Sequence, residues 1–216
     1  TGSAGNDIIT VDAGTDTVLD LGGASGGESD VVVVNAGATL DATGIAGFTA
    51  TNVTTNKSTD ASNATLTAKA DAAVTIDVSG AKSDSNGWTL EGGSGTGNDV
   101  LKGGGAADII TGGAAIDTIT GNGGADTITG GAGNDIITGS AGNDIITVDA
   151  GTDTVLDLGG ASGGESDVVV VNAGATLDAT GIAGFTATNV TTNKSTDATK
   201  TTLTAKGNAA VTIDVS

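Results

Sequence analysis

From Gly103 to Leu156 the chain reads GGGAADIIT, GGAAIDTIT, GNGGADTIT, GGAGNDIIT, GSAGNDIIT and VDAGTDTVL, six successive nonapeptides. Counting the turn before them, Asp returns at every ninth position, at Asp99, Asp108, Asp117, Asp126, Asp135, Asp144 and Asp153. Two residues behind each Asp stands an aliphatic side chain: Leu101, Ile110, Ile119, Ile128, Ile137, Ile146 and Val155. Two more such units open the chain, with Asp7 and Ile9, then Asp16 and Val18.

Each nonapeptide reads as six Gly-rich turn residues followed by three residues that enter a short strand. Turns of this kind need positive φ, which glycine adopts at no steric cost. Strand alternation then points the aliphatic residue inward and its neighbours outward. Two nonapeptides make one coil, so alternate repeats stack. Leu101, Ile119, Ile137 and Val155 line one interior wall, and Ile110, Ile128 and Ile146 line the wall facing it. The expected fold is all-β, a parallel β-roll or β-helix solenoid with Gly-Asp turns.

Composition supports a thin interior. Among 216 residues are 38 Gly, one Trp and two Phe, with no Pro, Cys, Met, His or Tyr. A thick core would be expected to contain more aromatic bulk, whereas Ala, Val, Ile and Leu suit stacked coils in a quasi-one-dimensional fold. The net charge of −19 comes almost wholly from Asp, spread singly rather than in blocks. That pattern points to metal ligation rather than a solvated tail, and it excludes phosphate neutralisation and hence nucleic acid as a partner. No stretch approaches the roughly 20 apolar residues of a membrane-spanning helix.

A longer repeat encloses the short one. Shifted by 137 positions, residues 1–79 coincide with residues 138–216 except at Ser62/Thr199, Asn63/Lys200, Ala64/Thr201, Ala70/Gly207 and Asp71/Asn208. The second copy breaks off after 79 residues, so the expectation is a window on a tandem array; an engineered duplication is the alternative. The organisation read from this is the end of an array (1–19), a β-rich spacer (20–91), a nonapeptide array (92–157) and a second, truncated spacer (158–216). In the spacer, DVVVVN (30–35), TLTAK (65–69), VTIDV (74–78) and WTL (88–90) carry strand patterns. The spacer is expected to continue the solenoid in longer irregular coils, a small separate sandwich being the alternative. The turn GGSGTGND before Val100 carries extra residues and is expected to cap the array.

The nonapeptide resembles the G-G-x-G-x-D-x-U-x unit of the repeats-in-toxin (RTX) family, a calcium-binding β-helix repeat. Seven in-phase copies make the resemblance specific. Calcium takes six to eight oxygen ligands, and like charges stacked about 4.8 Å apart repel unless a cation lies between them. The expected ligands are therefore Asp7, Asp16, Asp99, Asp108, Asp117, Asp126, Asp135, Asp144 and Asp153, with backbone carbonyls of the turns, each site joining coils eighteen residues apart. In the loop GGASGGESD (22–30, repeated at 159–167), Asp20, Glu28, Asp30 and Asp167 are further candidates. Ala106 and Ala115 replace the fourth-position Gly and Ile116 a small polar residue, so those turns are expected to be weaker or distorted.

Catalytic motifs fail on chemistry. Gly23–Gly27 matches G-x-S-x-G, but without His there is no triad base. Asp84-Ser85-Asn86-Gly87 lacks the remaining ligands of an EF-hand loop. The expected function is structural, not enzymatic: a calcium-rigidified repeat of a secreted cell-surface protein that self-associates into an S-layer, filament or matrix. The resemblance implies type I secretion and an extracellular location, with any anchoring to the cell supplied outside these residues. The extender of a giant RTX adhesin is the alternative, and the C-terminal module of a toxin or hydrolase is a weaker one.

Overall fold

The computed structural model describes residues 5–19, 21, 30–36, 38–50, 54–57, 64–68, 72–82, 85–158, 167–173, 175–182, 185–186, 192–193, 201–205 and 213–214. Asp20, Glu28, Asp84 and the Gly23–Gly27 motif lie outside them. Described residues form strands, turns and irregular backbone without a helix, and every named strand pair is parallel. The chain is a parallel β-roll solenoid.

In chain order the first coil holds β1 (Ile8–Val11) and β2 (Gly14–Leu19). The next holds β3 (Val31–Val34), β4 (Ala38–Ile45) and β5 (Phe48–Thr49), and the third holds β6 (Thr55–Asn56), β7 (Ala64–Ala68) and β8 (Thr75–Asp77). The fourth has β9 (Thr89–Glu91) and β10 (Val100–Lys102), preceded by Lys82 and Asn86, whose N–H groups bond Thr54 O, just before β6, and Asn56 O within it. Three coils of the array follow: β11 (Ile109–Ala114) with β12 (Thr118–Gly123), β13 (Thr127–Ala132) with β14 (Ile136–Ala141), and β15 (Ile145–Val148) with β16 (Gly151–Leu156). The second spacer repeats the first as β17 (Val168–Val171), β18 (Ala175–Ile182), β19 (Phe185–Thr186), β20 (Thr192–Asn193), β21 (Thr201–Ala205) and β22 (Ile213–Asp214).

Coils in the array therefore have two sides and coils in the spacer three. The spacer continues the solenoid, as its alternating apolar positions require: Leu40, Ala42, Leu66, Ile76 and Leu90 all point inward and are fully buried. The stretch before Asp99 does not cap the array. Sheets run through it from β9 to β11 and from β8 to β10, so residues 92–99 form an internal turn.

Passing through a spacer, one sheet ends and another begins. Sheet β1-β3-β6 stops, the nine-stranded sheet β2-β4-β7-β9-β11-β13-β15-β17-β20 runs on, and the sheet containing β10, β12, β14 and β16 starts at β5. The copy of β1, which is β15, thus stands on the sheet that β2 opened, six steps further along. At about 4.8 Å per step that displacement is roughly 29 Å.

In the array the aliphatic position behaves as its period requires. Leu101, Ile119, Ile137 and Val155 stack on one wall and Ile110, Ile128 and Ile146 on the other, all fully buried. The strands are longer than the three residues expected. Pairing continues through Gly113↔Gly131 and Ala114↔Ala132, because identical turns in adjacent coils stack in register and their amides find carbonyl partners there. In the repeats that begin at Gly112, Gly121, Gly130 and Gly139 two positions turn the chain, whereas the repeat from Gly103 has no positive φ. The second position has positive φ at Gly113, Asn122, Gly131 and Ser140, and the fourth at Ala115, Gly124, Gly133, Gly142 and Gly151.

Ala115 therefore occupies, at φ 87°, a conformation that its neighbours in the ladder give to glycine. The left-handed region costs an L-residue about 1–2 kcal/mol, offset in part by the greater unfolded-state freedom of glycine. Ala115→Gly is expected to stabilise the calcium-loaded chain by about 1 kcal/mol, read as a raised denaturation midpoint. An unchanged or lowered midpoint would mean that the turn has already relaxed around the methyl group.

Candidate metal centres

Each array Asp sits at the mouth of a coil, where the turn enters the next strand. From Asp117 onward its Oδ1 accepts the backbone N–H of the Asp one coil earlier. Asp117 takes Asp99 N–H at 2.7 Å, Asp135 takes Asp117 N–H at 2.9 Å and Asp153 takes Asp135 N–H at 2.9 Å. On the opposite edge Asp126 takes Asp108 N–H and Asp144 takes Asp126 N–H, both at 2.8 Å. The two expected ladders are thus brought together coil by coil. Both flanking candidates join this scheme across the longer loop, Asp167 accepting from Asp144 N–H and Asp30 from Asp7 N–H, each at 2.9 Å. Asp16 is exposed on β2, the end strand of its sheet, while its copy Asp153 is buried and accepts Asp135 N–H.

The second oxygen decides the chemistry. Asp117, Asp126, Asp135 and Asp153 are almost completely buried, yet their Oδ2 atoms have no hydrogen-bond partner, and neither does that of Asp7. A buried carboxylate oxygen left unpaired is costly. Those of Asp117, Asp126 and Asp135 point over the first glycine of their own repeat. A β-carbon on Gly112 would lie 2.7 Å from Asp117 Oδ2, and one on Gly130 would lie 2.6 Å from Asp135 Oδ2. The same space is bounded by carbonyls of the next coil: Gly130 O over Gly112, Gly121 O over Gly103, Gly112 O over Gly92 and Gly139 O over Gly121, the last 2.7 Å from such a carbon. Among the described residues no three carboxylates converge. Each cradle pairs a single Asp with peptide oxygens, an all-oxygen set that fits a hard cation.

The first-position glycines were read from sequence as turn formers. Gly112, Gly121, Gly130 and Gly139 are absent from the positive-φ positions, so it is the cradle, which a side chain would fill, that requires them. Val148 and Val11 stand at this position before Asp153 and Asp16, and both valines are buried. The sequence shows this substitution directly, once the purpose of that glycine is known.

Burial raises the Asp carboxyls, and neighbouring like charges add to it. Asp126 is pushed up to about 7 by burial, with Asp108 and Asp144 contributing. Asp117 reaches about 6 through burial and the charges of Asp135 and Asp99, and Asp153 about 6 through burial and the charges of Asp135 and Asp149. Asp108, also near 6 through burial, is held down by N–H groups of Trp88 and Gly104. Burial raises Asp99 and Asp135 as well.

These centres define a calcium-binding β-roll. Residues 1–19, 89–119 and 120–155 match the family model described as RTX calcium-binding nonapeptide repeat. The arrays of this chain are RTX repeats; such repeats bind calcium at multiple sites, and proteins that carry them are typically secreted. Searches of curated proteins and of solved structures returned no match.

The raised carboxyls have a consequence for the metal-free chain. Unfolded, these groups lose their protons near 3.8; folded, several keep them to about 6 or 7. Their contribution to stability is therefore complete below about pH 4 and lost as pH rises through 6 to 7. In chelator, strand content by circular dichroism should be higher at pH 5 than at pH 8, and saturating calcium should remove the difference. Strand content in chelator that rises with pH would overturn this.

Proposed function

We propose that this chain is a calcium-rigidified structural segment of a secreted cell-surface protein, one that builds an S-layer, filament or matrix by self-association, and that it is not an enzyme. The observation that carries this reading is the series of buried Asp Oδ2 atoms set over glycine cradles, repeated through a solenoid of near-identical units. Asp99, Asp108, Asp117, Asp126, Asp135 and Asp144 are the proposed ligands over Gly92, Gly103, Gly112, Gly121, Gly130 and Gly139, with turn carbonyls completing each shell. Asp7, Asp30 and Asp167 extend the ladders. Asp153 and Asp16 lack the glycine and are proposed as outer partners only.

When bound, calcium supplies the charge that lets the stacked carboxylates lie close together. The chain's own part is to fix each carboxylate through its Oδ1 and, at Asp117, Asp126 and Asp135, to keep Oδ2 free of protein donors. Near-identical long units support self-association, since identical units offer identical contact surfaces and regular assembly.

Addition of millimolar calcium to chelator-treated protein should restore strand signal, and an unchanged signal would sink the calcium reading. Electron microscopy of calcium-loaded native material should show a lattice or bundled fibre; single projecting rods would favour an adhesin extender instead.

Asp126→Ala removes both the Oδ2 of one site and the acceptor of Asp108 N–H, so direct calcium titration should lose more than one equivalent. Gly121→Ala places a methyl group against Asp126 Oδ2 and Gly139 O and should weaken the same site about tenfold or more, in line with a blocked charged contact. Full stoichiometry in both variants would show that this cradle holds no calcium.

A further inference from the structure

The unsatisfied carboxylates have a boundary. Among the described residues, the buried acidic oxygens without a hydrogen-bond partner all belong to nonapeptide Asp residues, and none lies between 38 and 91. There the buried polar groups are Thr54, Asn56 and the indole N–H of Trp88, all neutral, and only the last has no hydrogen-bond partner. Asn56 donates through Nδ2 to Gly87 O, and its own N–H reaches Ser85 Oγ at 3.2 Å. Asp77, on the outer face of β8, is paired with Lys102 Nζ at 3.1 Å.

Apolar bulk is concentrated in the same coils. A three-sided cross-section encloses more interior than a two-sided one, and it buries Phe48, Trp88, Leu40, Ile45, Leu66, Ile76 and Leu90. Each glycine-led nonapeptide of the array buries one large aliphatic residue, and the last nonapeptide buries Val148 and Val155. At about 1.5–3 kcal/mol for each large apolar side chain buried, the spacer coils are better able to offset the entropy of ordering without a metal.

At the junction the first two array carboxylates rest on spacer amides. Asp99 Oδ1 accepts Val74 N–H at 2.8 Å and Asp108 Oδ1 accepts Trp88 N–H at 2.6 Å. Asp108 Oδ2 differs from those of Asp117 and Asp126 in having a protein donor, Gly104 N–H at 2.6 Å.

From these contrasts we infer that the spacer coils of residues 38–91 fold without calcium and provide a preformed seat for the array, so that the requirement for calcium starts at Asp117. The inference takes from the preceding section only that the array holds calcium.

Hydrogen exchange on the full chain, in calcium and in chelator, tests it with residue-level resolution. The peptide 80–91 has no copy elsewhere, and peptides spanning 62–64 or 70–71 differ in mass from their counterparts at 199–201 and 207–208. In chelator, Ala64–Ala68 and Thr89–Glu91 should stay within about threefold of their calcium-loaded exchange rates. Ile136–Ala141 and Ile145–Val148 should speed up a hundredfold or more. The single Trp, Trp88, should keep the emission of a buried indole. In Asp126→Asn the array should exchange faster while Trp88 emission is unchanged. Loss of protection in spacer and array together, or a red shift of Trp88, overturns the boundary alone. Protection kept in both overturns the calcium reading and the boundary with it.

Discussion

The structure depends on one asymmetric use of a carboxylate. From Asp117 onward one oxygen of each array Asp is tied to the amide of the Asp a coil earlier, which fixes the side chain in place; at Asp117, Asp126 and Asp135 the other is turned into a space free of donors. The first contact alone stacks the coils. Together they line up carboxylates where burial and like charge both disfavour ionisation, so the stack takes up either protons or a cation. In the proposed reading, rigidity and metal dependence are consequences of the same residue.

Much of this is legible in the sequence. The ninefold recurrence of Asp and the aliphatic residue two places on fixes the roll, its two inner walls and the pairing of coils eighteen residues apart. The strand stretches of the spacer emerge where alternation is clean, at Val31–Val34 and Ala64–Ala68. The eight-residue strand Ala38–Ile45 is less visible, since Ala42, Asp41 and Gly44 dilute its pattern; its inward positions are filled by small residues as well as Leu40 and Ile45. Three-sidedness is not a local property at all. It follows from how far the chain runs before it returns to a given sheet, and no window of residues encodes that distance.

The glycines divide by purpose in a way the sequence conceals. Positions two and four answer to backbone conformation, and Asn122, Ser140 and Ala115 show that other residues can be forced there. Position one answers to the space a carboxylate and a carbonyl share, and where Val148 and Val11 replace it the cradle is closed. A consensus of repeated glycine hides two unrelated constraints, and only one of them concerns the metal.

The handover of sheets at each spacer gives the solenoid a kind of masonry. Among the described residues of the first spacer the hydrogen-bonded ladders do not stop together: where β6 ends one course, the course begun at β2 is in mid-run and the one begun at β5 has just been laid. Overlapping courses pass tension and torsion along the axis without a weak plane, as staggered bricks do in a wall. The same stagger moves each repeated surface to the adjoining side of the rod from one copy to the next, so a neighbour gripping the face of β1 in the first copy would meet its twin around the corner, at β15.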